Sequence, residues 1–292
     1  MHKPDFIIIG AMKSATTTLH DQLAQQEGFF MSEPKEPNFF SDDDVYAQGE
    51  SWYSQLFDGH SDGHSDGQLC GESSTHYTKR PTWPKVIERM DGYGIDSLKL
   101  IYIIRHPIDR LVSHYIHEWS QGLISKDINE AVKNFPELIA FSKYAEQIAP
   151  FIQRYGTENI LLLSFDELTQ RPQETLERSC TFLGHAKTVT WRDDLSQRNV
   201  SSERVRKFPL YSLLIDSALM TSLRRTFFPK SLRNKIRHLL TMKKRPQLSE
   251  QSIQDLQTIF NADLHSLSEQ LDTTLNCNNF RDVASTSELN WK

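Results

Sequence analysis

Three short apolar runs stand out along the chain, because each lacks polar alternation and each precedes a segment with helical periodicity. The runs are Phe6–Ile9, Leu98–Ile104 and Ile160–Phe165. Apolar runs of this length predict parallel strands that are buried on both faces. The helical segments that follow them are Thr16–Gln26, Pro107–Trp119 and Pro172–Leu183, the last with Gly184 at its end.

Strands that alternate with helices predict an α/β fold, with a central, mostly parallel sheet flanked by helices in three layers. The C-terminal third adds helical patterns at Pro209–Leu219, Pro229–Leu240 and Ser249–Leu271. No long repeat or linker interrupts the chain. We therefore expect one domain over residues 1–292, with a core at about 4–185 and helical additions at about 195–280.

The first strand leads through a short turn into a helix, an arrangement that aims free N–H groups and the helix dipole at one point. The turn carries Lys13 and Thr16–Thr18. When the nucleoside-triphosphate P-loop pattern is aligned on Gly10, Ala15 takes the position of its second glycine and Thr16 that of its lysine. The turn thus predicts a P-loop-like phosphate site whose cation is placed differently from that of a triphosphate enzyme.

The second apolar run ends at Arg105, at the sheet edge where ligands bind in such folds. A guanidinium fork matches a phosphate, and Ser113 on the following helix adds a hydroxyl. An ordinary ion pair between Arg105 or Arg110 and a carboxylate is the competing interpretation. His114 and His117 have the spacing of a metal pair, but a partly exposed helix face is favoured.

Charge and composition narrow the class of protein. The 33 Lys and Arg against 38 Asp and Glu give a net charge of −5, which does not favour a nucleic-acid partner. No apolar run approaches the roughly 20 residues of a membrane helix, and no signal peptide is evident, so we expect a cytoplasmic protein. The three cysteines are scattered and predict neither disulfides nor a zinc site.

A short tandem of His-Ser-Asp-Gly lies within residues 58–67. Its histidine and aspartate side chains are possible metal ligands. Turn-forming residues dominate the segment, and a surface loop is the favoured interpretation.

Together, the two phosphate-binding elements resemble those of the sulfotransferases that use 3′-phosphoadenosine-5′-phosphosulfate (PAPS), in the branch with the heparan sulfate N- and 3-O-sulfotransferase domains. The segment from Lys13 to Thr18 looks like the loop that binds the 5′-phosphosulfate. Arg105 and Ser113 look like the 3′-phosphate site. Three further segments match in chain order: Lys35–Phe40, Gly71–Tyr77 and Val205–Pro209.

The resemblance implies a donor, a product and residue roles. PAPS would be the donor and adenosine 3′,5′-bisphosphate (PAP) the product, with no metal required. Glu36 would be the general base, with His76 as the alternative, and Lys13 would stabilise the leaving phosphate. The implied nucleotide-binding residues are Lys13, Ser14, Ala15, Thr16, Thr17, Thr18, Arg105, Ser113, Arg206 and Lys207.

Several positions depart from the family pattern. Ala15 replaces a glycine, so the backbone must tolerate a Cβ there, and Ser73 stands where the heparan-modifying enzymes often carry a lysine. The acceptor therefore stays open, with a carbohydrate or another small molecule as the expectation. A P-loop kinase or other triphosphate enzyme, and a non-catalytic nucleotide-binding relative, are the alternative functions.

Overall fold

A five-stranded parallel sheet forms the centre of the computed structural model, which describes residues 2–58, 68–95, 98–196, 242 and 244–292. The strands follow the order β2-β3-β1-β4-β5 across the sheet. Their bounds are β1 Phe6–Gly10, β2 Phe29–Met31, β3 Leu69–Glu72, β4 Lys99–Ile104 and β5 Ile160–Ser164.

Helices surround this sheet. Their bounds are α1 Thr16–Leu23, α2 Asp43–Tyr46, α3 Glu50–Gln55, α4 Val86–Tyr93, α5 Pro107–Gln121, α6 Ile128–Asn134, α7 Glu137–Ala140, α8 Tyr144–Tyr155, α9 Phe165–Gln170, α10 Pro172–Phe182, α11 Asp193–Ser196, α12 Glu250–Ser268 and α13 Phe280–Thr286. Short 3-10 turns occupy Thr75–Thr78 and Thr157–Asn159.

The alternation of side chains along the strands creates two separate cores. Ile7 and Ile9 of β1 face one core, which α4, α5, α8 and α12 cover. Phe6 and Ile8 face the other, which α1, α9 and α10 cover. Both faces of the sheet are thus buried, and the predicted three-layer α/β fold is confirmed.

The strand β1 lies in the middle of the sheet, between β3 and β4. Its first residue, Phe6, is in register with Gly71 of β3 and with Lys99 of β4. The turn that follows β1 and the residues that follow β3 and β4 therefore meet at one edge of the sheet. This placement positions the candidate site.

All three predicted strands are present, but the sequence analysis missed β2 and β3. Each is short, at three and four residues, and β3 ends in Gly71 and Glu72 rather than in apolar side chains. The third predicted strand also ends one residue early. The Ser164 hydroxyl accepts from the Glu167 amide while the Glu167 carboxylate accepts from the Ser164 amide, and this capping box starts α9 at Phe165.

The C-terminal elements pack back onto the core. The Asp263 carboxylate of α12 accepts from the amides of Ala145 and Glu146, at 3.1 and 3.2 Å, in the first turn of α8. Near the start of α5, Asp109 pairs with Arg281 at 2.6 Å. The predicted helix Ser249–Leu271 is confirmed as α12, with Ser249 as its cap.

Several predicted features lie outside the described residues. They are the helices at 209–219 and 229–240, Arg206 and Lys207, and most of the His-Ser-Asp-Gly segment. Among the residues that are described, no helix combines the length and apolar character that crossing a membrane requires.

Two glycine-to-alanine changes test the packing of β3 against β1. A Cβ at Gly71 would lie 2.2 Å from the buried ring of Phe6, so we expect Gly71→Ala to lower the free energy of unfolding by about 1–3 kcal/mol. Gly92 in α4 has open space around it, so Gly92→Ala should raise that free energy by up to about 1 kcal/mol. Urea unfolding of both variants measures the difference, and equal effects would contradict the close approach of Phe6.

Candidate functional site

The turn after β1 has the backbone geometry of an anion site. Lys13 and Ala15 both have positive φ, at 70° and 65°, and Ala15 is the residue that precedes the first turn of α1. Within the described part of the chain, no side chain caps that helix end. The amides of the first turn and the dipole of α1 therefore face the space in front of the turn.

Ala15 adopts the left-handed conformation that a glycine would accept without strain. In an L-residue this conformation costs roughly 1–2 kcal/mol. The sequence analysis expected the backbone to tolerate a Cβ at this position, and the Ala15 conformation confirms that expectation. The surrounding turn thus imposes a backbone conformation that an alanine does not favour.

Gly10, the last residue of β1, lies directly under the 3-10 turn at Thr75–Thr78. The Thr78 hydroxyl donates to the Ile9 carbonyl at 2.8 Å. A Cβ on Gly10 would come within 2.0 Å of that hydroxyl oxygen. The 3-10 turn is in this way held against the end of β1, and its side chains Thr75 and His76 line the cavity in front of the turn that follows β1.

Arg105 links the two predicted phosphate-binding elements. It follows β4, and its guanidinium donates to the Lys13 carbonyl at 3.2 Å. The Phe165 ring lies 4.1 Å from the same guanidinium, and the Tyr144 hydroxyl donates to the Arg105 carbonyl at 2.5 Å. Burial lowers the pKa of Arg105, but a guanidinium stays charged at neutral pH.

A cavity of about 720 Å³ opens in front of these elements. Nine of the predicted site residues line it: Lys13, Ala15, Thr16, Thr17, Thr18, Glu36, His76, Arg105 and Ser113. Ser14 does not line the cavity. It is fully buried beneath the turn, and its hydroxyl has no partner among the described residues.

Glu36 is held from two sides. Lys35 donates to one carboxylate oxygen at 2.8 Å, and the Thr75 hydroxyl donates to the other at 3.1 Å. Burial raises the pKa of Glu36, but the charge and hydrogen bond of Lys35 and the bond from Thr75 lower it further, so the net pKa lies below its usual value. The carboxylate is therefore ionised at neutral pH.

His76 lines the same cavity, but its side chain is uncharged at neutral pH, unlike that of Glu36. Its ring stacks on Trp83 with the centroids 5.2 Å apart, and within the described chain its Nδ1 has no hydrogen-bond partner. Burial, together with the charge of Lys79, lowers the pKa of His76 to about 4. The imidazole is neutral at neutral pH and holds a proton less readily than a free histidine.

A buried hydrogen-bond network lies beneath Glu36. The Glu72 carboxylate at the end of β3 accepts from the hydroxyls of Tyr53, Ser74 and Tyr77, at 3.0, 2.6 and 2.8 Å. The Ser74 hydroxyl in turn accepts from the amide of Asn38, which has a φ of 56°. The loop that carries Glu36 is thereby fastened to β3.

The region around α5 bears on two interpretations of the sequence. Arg110 does not form the competing ion pair: it is fully buried and bonds to the Ser142 hydroxyl and the Leu138 carbonyl, with no carboxylate partner in the described chain. The expectation that His114 belongs to a partly exposed face is wrong, because its side chain is buried, with its Nε2 3.3 Å from the Glu118 carboxylate. Across the described residues, no three His, Cys, Asp or Glu side chains cluster in a metal-binding arrangement.

Other cavity residues were not predicted. They include Thr75, Lys79, His117, Phe165 and Trp191. Phe165 ended a predicted strand, so the rule that ligands bind at carboxyl ends of strands was a usable signal. No sequence signal pointed to Trp191, because its position depends on tertiary contacts: its amide donates to the Gln173 side chain of α10 at 2.8 Å, and Gln22 of α1 donates to the neighbouring Arg192 carbonyl at 2.7 Å.

The family model described as the sulfotransferase domain matches residues 3–269. The chain belongs to the sulfotransferase family. The expected resemblance is thereby confirmed.

Curated relatives of this sulfotransferase match over part of their length. A membrane-associated sulfotransferase, kil1, of Dictyostelium discoideum is 32% identical over 113 residues, which cover 38% of this chain and 22% of the relative. The human bifunctional heparan sulfate N-deacetylase/N-sulfotransferase 2 is 23% identical, over 65% of this chain and 24% of its own. The mouse heparan sulfate glucosamine 3-O-sulfotransferase 3B1 is 26% identical, over 64% of this chain and 47% of its own.

Solved structures share the fold. A sulfotransferase from Alicyclobacillus acidocaldarius has a TM-score of 0.56 and 24% identity, and the match covers 77% of this chain and 97% of that one. The mouse sulfotransferase SULT7A1, crystallised with PAP, has a TM-score of 0.51 and 12% identity, with 98% and 90% covered.

The buried histidines of this sulfotransferase predict acid sensitivity. Burial lowers the pKa of His20, His76 and His114 to about 4, so below about 6.5 the unfolded chain takes up protons that the folded chain does not. Between about pH 6.5 and pH 4, each of these histidines should lower the free energy of unfolding by up to about 1.4 kcal/mol per pH unit. Glu72 and Glu167 act in the opposite direction, because burial raises the pKa of each to about 7 and the folded chain then takes up protons before the unfolded chain does.

His20 provides the variant that tests this prediction, because its Nδ1 bonds to the Ser73 hydroxyl at 2.8 Å and an asparagine amide offers a similar acceptor. We expect the free energy of unfolding of His20→Asn to fall less steeply with acid than that of the wild type. Urea unfolding at several pH values between 7 and 4 measures both slopes. Identical slopes would contradict the assignment of a buried, neutral His20.

Proposed function

We propose that this chain transfers the sulfuryl group of PAPS to a hydroxyl or amine of an acceptor, and that PAP is the product. The single observation that carries the proposal is that one cavity joins Lys13 and the start of α1 with Arg105, Ser113 and Glu36. Lys13 and the start of α1 suit one phosphate, Arg105 and Ser113 suit a second phosphate, and Glu36 suits a proton.

The residues of the cavity fit the two ends of this donor. Lys13, the amides of the first turn of α1 and the hydroxyls of Thr16–Thr18 suit the 5′-phosphosulfate. Arg105 and Ser113 suit the 3′-phosphate that distinguishes PAPS from ATP, with Arg206 and Lys207 as further proposed contacts. Ser14, which the resemblance includes in the nucleotide site, lies buried beneath the turn rather than in the cavity lining.

In the proposed reaction, the acceptor oxygen or nitrogen forms a bond to sulfur as the bond from sulfur to the 5′-phosphate oxygen breaks. The acceptor proton moves to the Glu36 carboxylate. The electron pair of the broken bond stays on the phosphate oxygen, where Lys13 compensates the growing negative charge. Catalysis then consists of positioning and charge stabilisation.

Glu36 is the proposed base because it is ionised at neutral pH, while its bonds to Lys35 and Thr75 hold it at the cavity. His76 is the alternative base, since its imidazole is also unprotonated at neutral pH; the family resemblance is what favours Glu36 over it. The proposed acceptor is a carbohydrate or another small molecule, and the named activities of the heparan-modifying relatives favour a carbohydrate.

Thermal unfolding in the presence of PAP, ADP or ATP, each with and without Mg²⁺, tests the donor assignment. At about 100 times its dissociation constant, a ligand adds roughly 2.7 kcal/mol to the free energy of unfolding, which raises the midpoint by a few degrees. We expect a shift with PAP that is independent of Mg²⁺. A shift with ATP and Mg²⁺ instead would identify a triphosphate enzyme with an unusual lysine.

Two substitutions separate the proposed roles. Lys13→Ala should abolish turnover and weaken PAP binding, because it removes a donor contact and the charge that stabilises the leaving phosphate. Glu36→Gln should lower turnover by about a hundredfold or more with nearly unchanged PAP affinity. Glu33→Gln, an exposed change on the same loop, is the matched control. PAP release measures turnover, and calorimetry measures PAP affinity. Full activity of Glu36→Gln would favour His76 as the base.

A further inference from the structure

Lys79 is a buried cation that the proposed transfer does not use. It follows the 3-10 turn at Thr75–Thr78, is 9% exposed and lines the cavity beside Glu36 and His76. Two residues of that turn, Thr75 and His76, also line the cavity. The turn itself is held to β1 by the bond from Thr78 to the Ile9 carbonyl.

The Lys79 ammonium has no ion pair within the described part of the chain. The nearby carboxylates have other partners: Glu36 is bonded to Lys35 at 2.8 Å, and Glu118 to His114 at 3.3 Å. The Phe141 ring, 6.0 Å from the ammonium, contributes only a weak attraction. A buried charge without a paired counter-charge is unfavourable. A lysine with a purely structural role would have such a partner in the fold, whereas a lysine in an anion-binding site gains it from the ligand.

Burial lowers the pKa of Lys79 to about 8, with the charge of Glu36 acting in the opposite direction. At neutral pH the side chain is still mainly protonated. An anion that entered the cavity would restore the balance of charge, so the free energy lost by burying the ammonium would be recovered on binding.

The position of Lys79 within the cavity assigns it to the acceptor side. Thr75, in the 3-10 turn that Lys79 follows, donates to the Glu36 carboxylate at 3.1 Å, so this turn lies beside the proposed base. Arg105, at the nucleotide side, instead bonds to the Lys13 carbonyl at 3.2 Å. Because Lys35 already neutralises Glu36, Lys79 is not required as its counter-ion.

We propose that Lys79 binds an anionic group of the acceptor, a carboxylate or a sulfate ester, close to the hydroxyl or amine whose proton Glu36 removes. This inference rests on the proposed function and specifies its substrate class as an anionic one. Lys79 is therefore a specificity-determining residue, and its ammonium forms a charge-assisted hydrogen bond with the bound anion. The cavity then holds the 5′-phosphosulfate and the 3′-phosphate of the donor together with one anionic group of the acceptor.

Calorimetric titration of the full chain loaded with PAP tests this inference. The probes are two matched pairs, each an anionic sugar and its neutral counterpart: 4-nitrophenyl glucuronide with 4-nitrophenyl glucoside, and glucose 6-sulfate with glucose. The first pair reports on a carboxylate and the second on a sulfate ester. PAP occupies the phosphate sites, so the anionic probes compete only for the acceptor side.

The variants are Lys79→Met, which removes the charge at similar volume, and Lys79→Arg, which keeps it. Lys85→Met is the matched control, because Lys85 is exposed, pairs with Asp43 and does not line the cavity. PAP affinity is measured first for every variant. It reports on folding and on the donor site independently of Lys79.

In the wild type and in Lys85→Met, we expect the anionic member of at least one pair to bind about tenfold or more tightly than the neutral member. Lys79→Met should abolish this preference and Lys79→Arg should retain much of it, with PAP affinity unchanged in both. A wild type without any preference, or a preference that survives in Lys79→Met, would overturn the inference. Failure of the wild type to bind PAP would instead refute the proposed function.

Discussion

The parallel pairing of β1 with β4 is the constraint on which the site depends. It brings the turn after β1 and the start of α5 to the same edge of the sheet. The bond from the Arg105 guanidinium to the Lys13 carbonyl then fixes the distance between the two phosphate-binding elements. Since Lys13 and Ala15 are held at positive φ, the sheet and this contact impose a conformation that the local sequence does not favour.

A second, independent set of interactions holds the proposed base. Three hydroxyls donate to the buried Glu72 carboxylate. One of them, the Ser74 hydroxyl, also accepts from the amide of Asn38, two residues after Glu36. Burial raises the pKa of Glu72 to about 7, whereas Lys35 and Thr75 keep the pKa of Glu36 low. The pKa values of two nearby glutamates are thus shifted in opposite directions, because burial outweighs the hydroxyl bonds at Glu72, whereas Lys35 and Thr75 outweigh burial at Glu36.

The cations of the cavity have different surroundings, and these surroundings indicate different ligands. Arg105 lies against the Phe165 ring and a carbonyl oxygen, which leaves its charge directed towards an anion. Lys79 is buried by a turn and by the Phe141 ring, with the neighbouring carboxylates already bonded elsewhere. The proposed ligands, an anionic donor and an anionic acceptor, would compensate the positive charge of this cavity.

The sequence by itself determined the α/β architecture, the turn with Lys13, the Arg105 element and the family. These features are local, because strand burial, helix periodicity and a turn motif each depend on consecutive residues. The tertiary structure alone decided that β2 and β3 complete the sheet, that Ser14 lies beneath the turn, and that Lys79, Phe165 and Trp191 join the cavity. It also decided that Arg110 and His114 are buried, since a side chain's partners come from segments distant in the sequence, and burial and pKa follow from those partners.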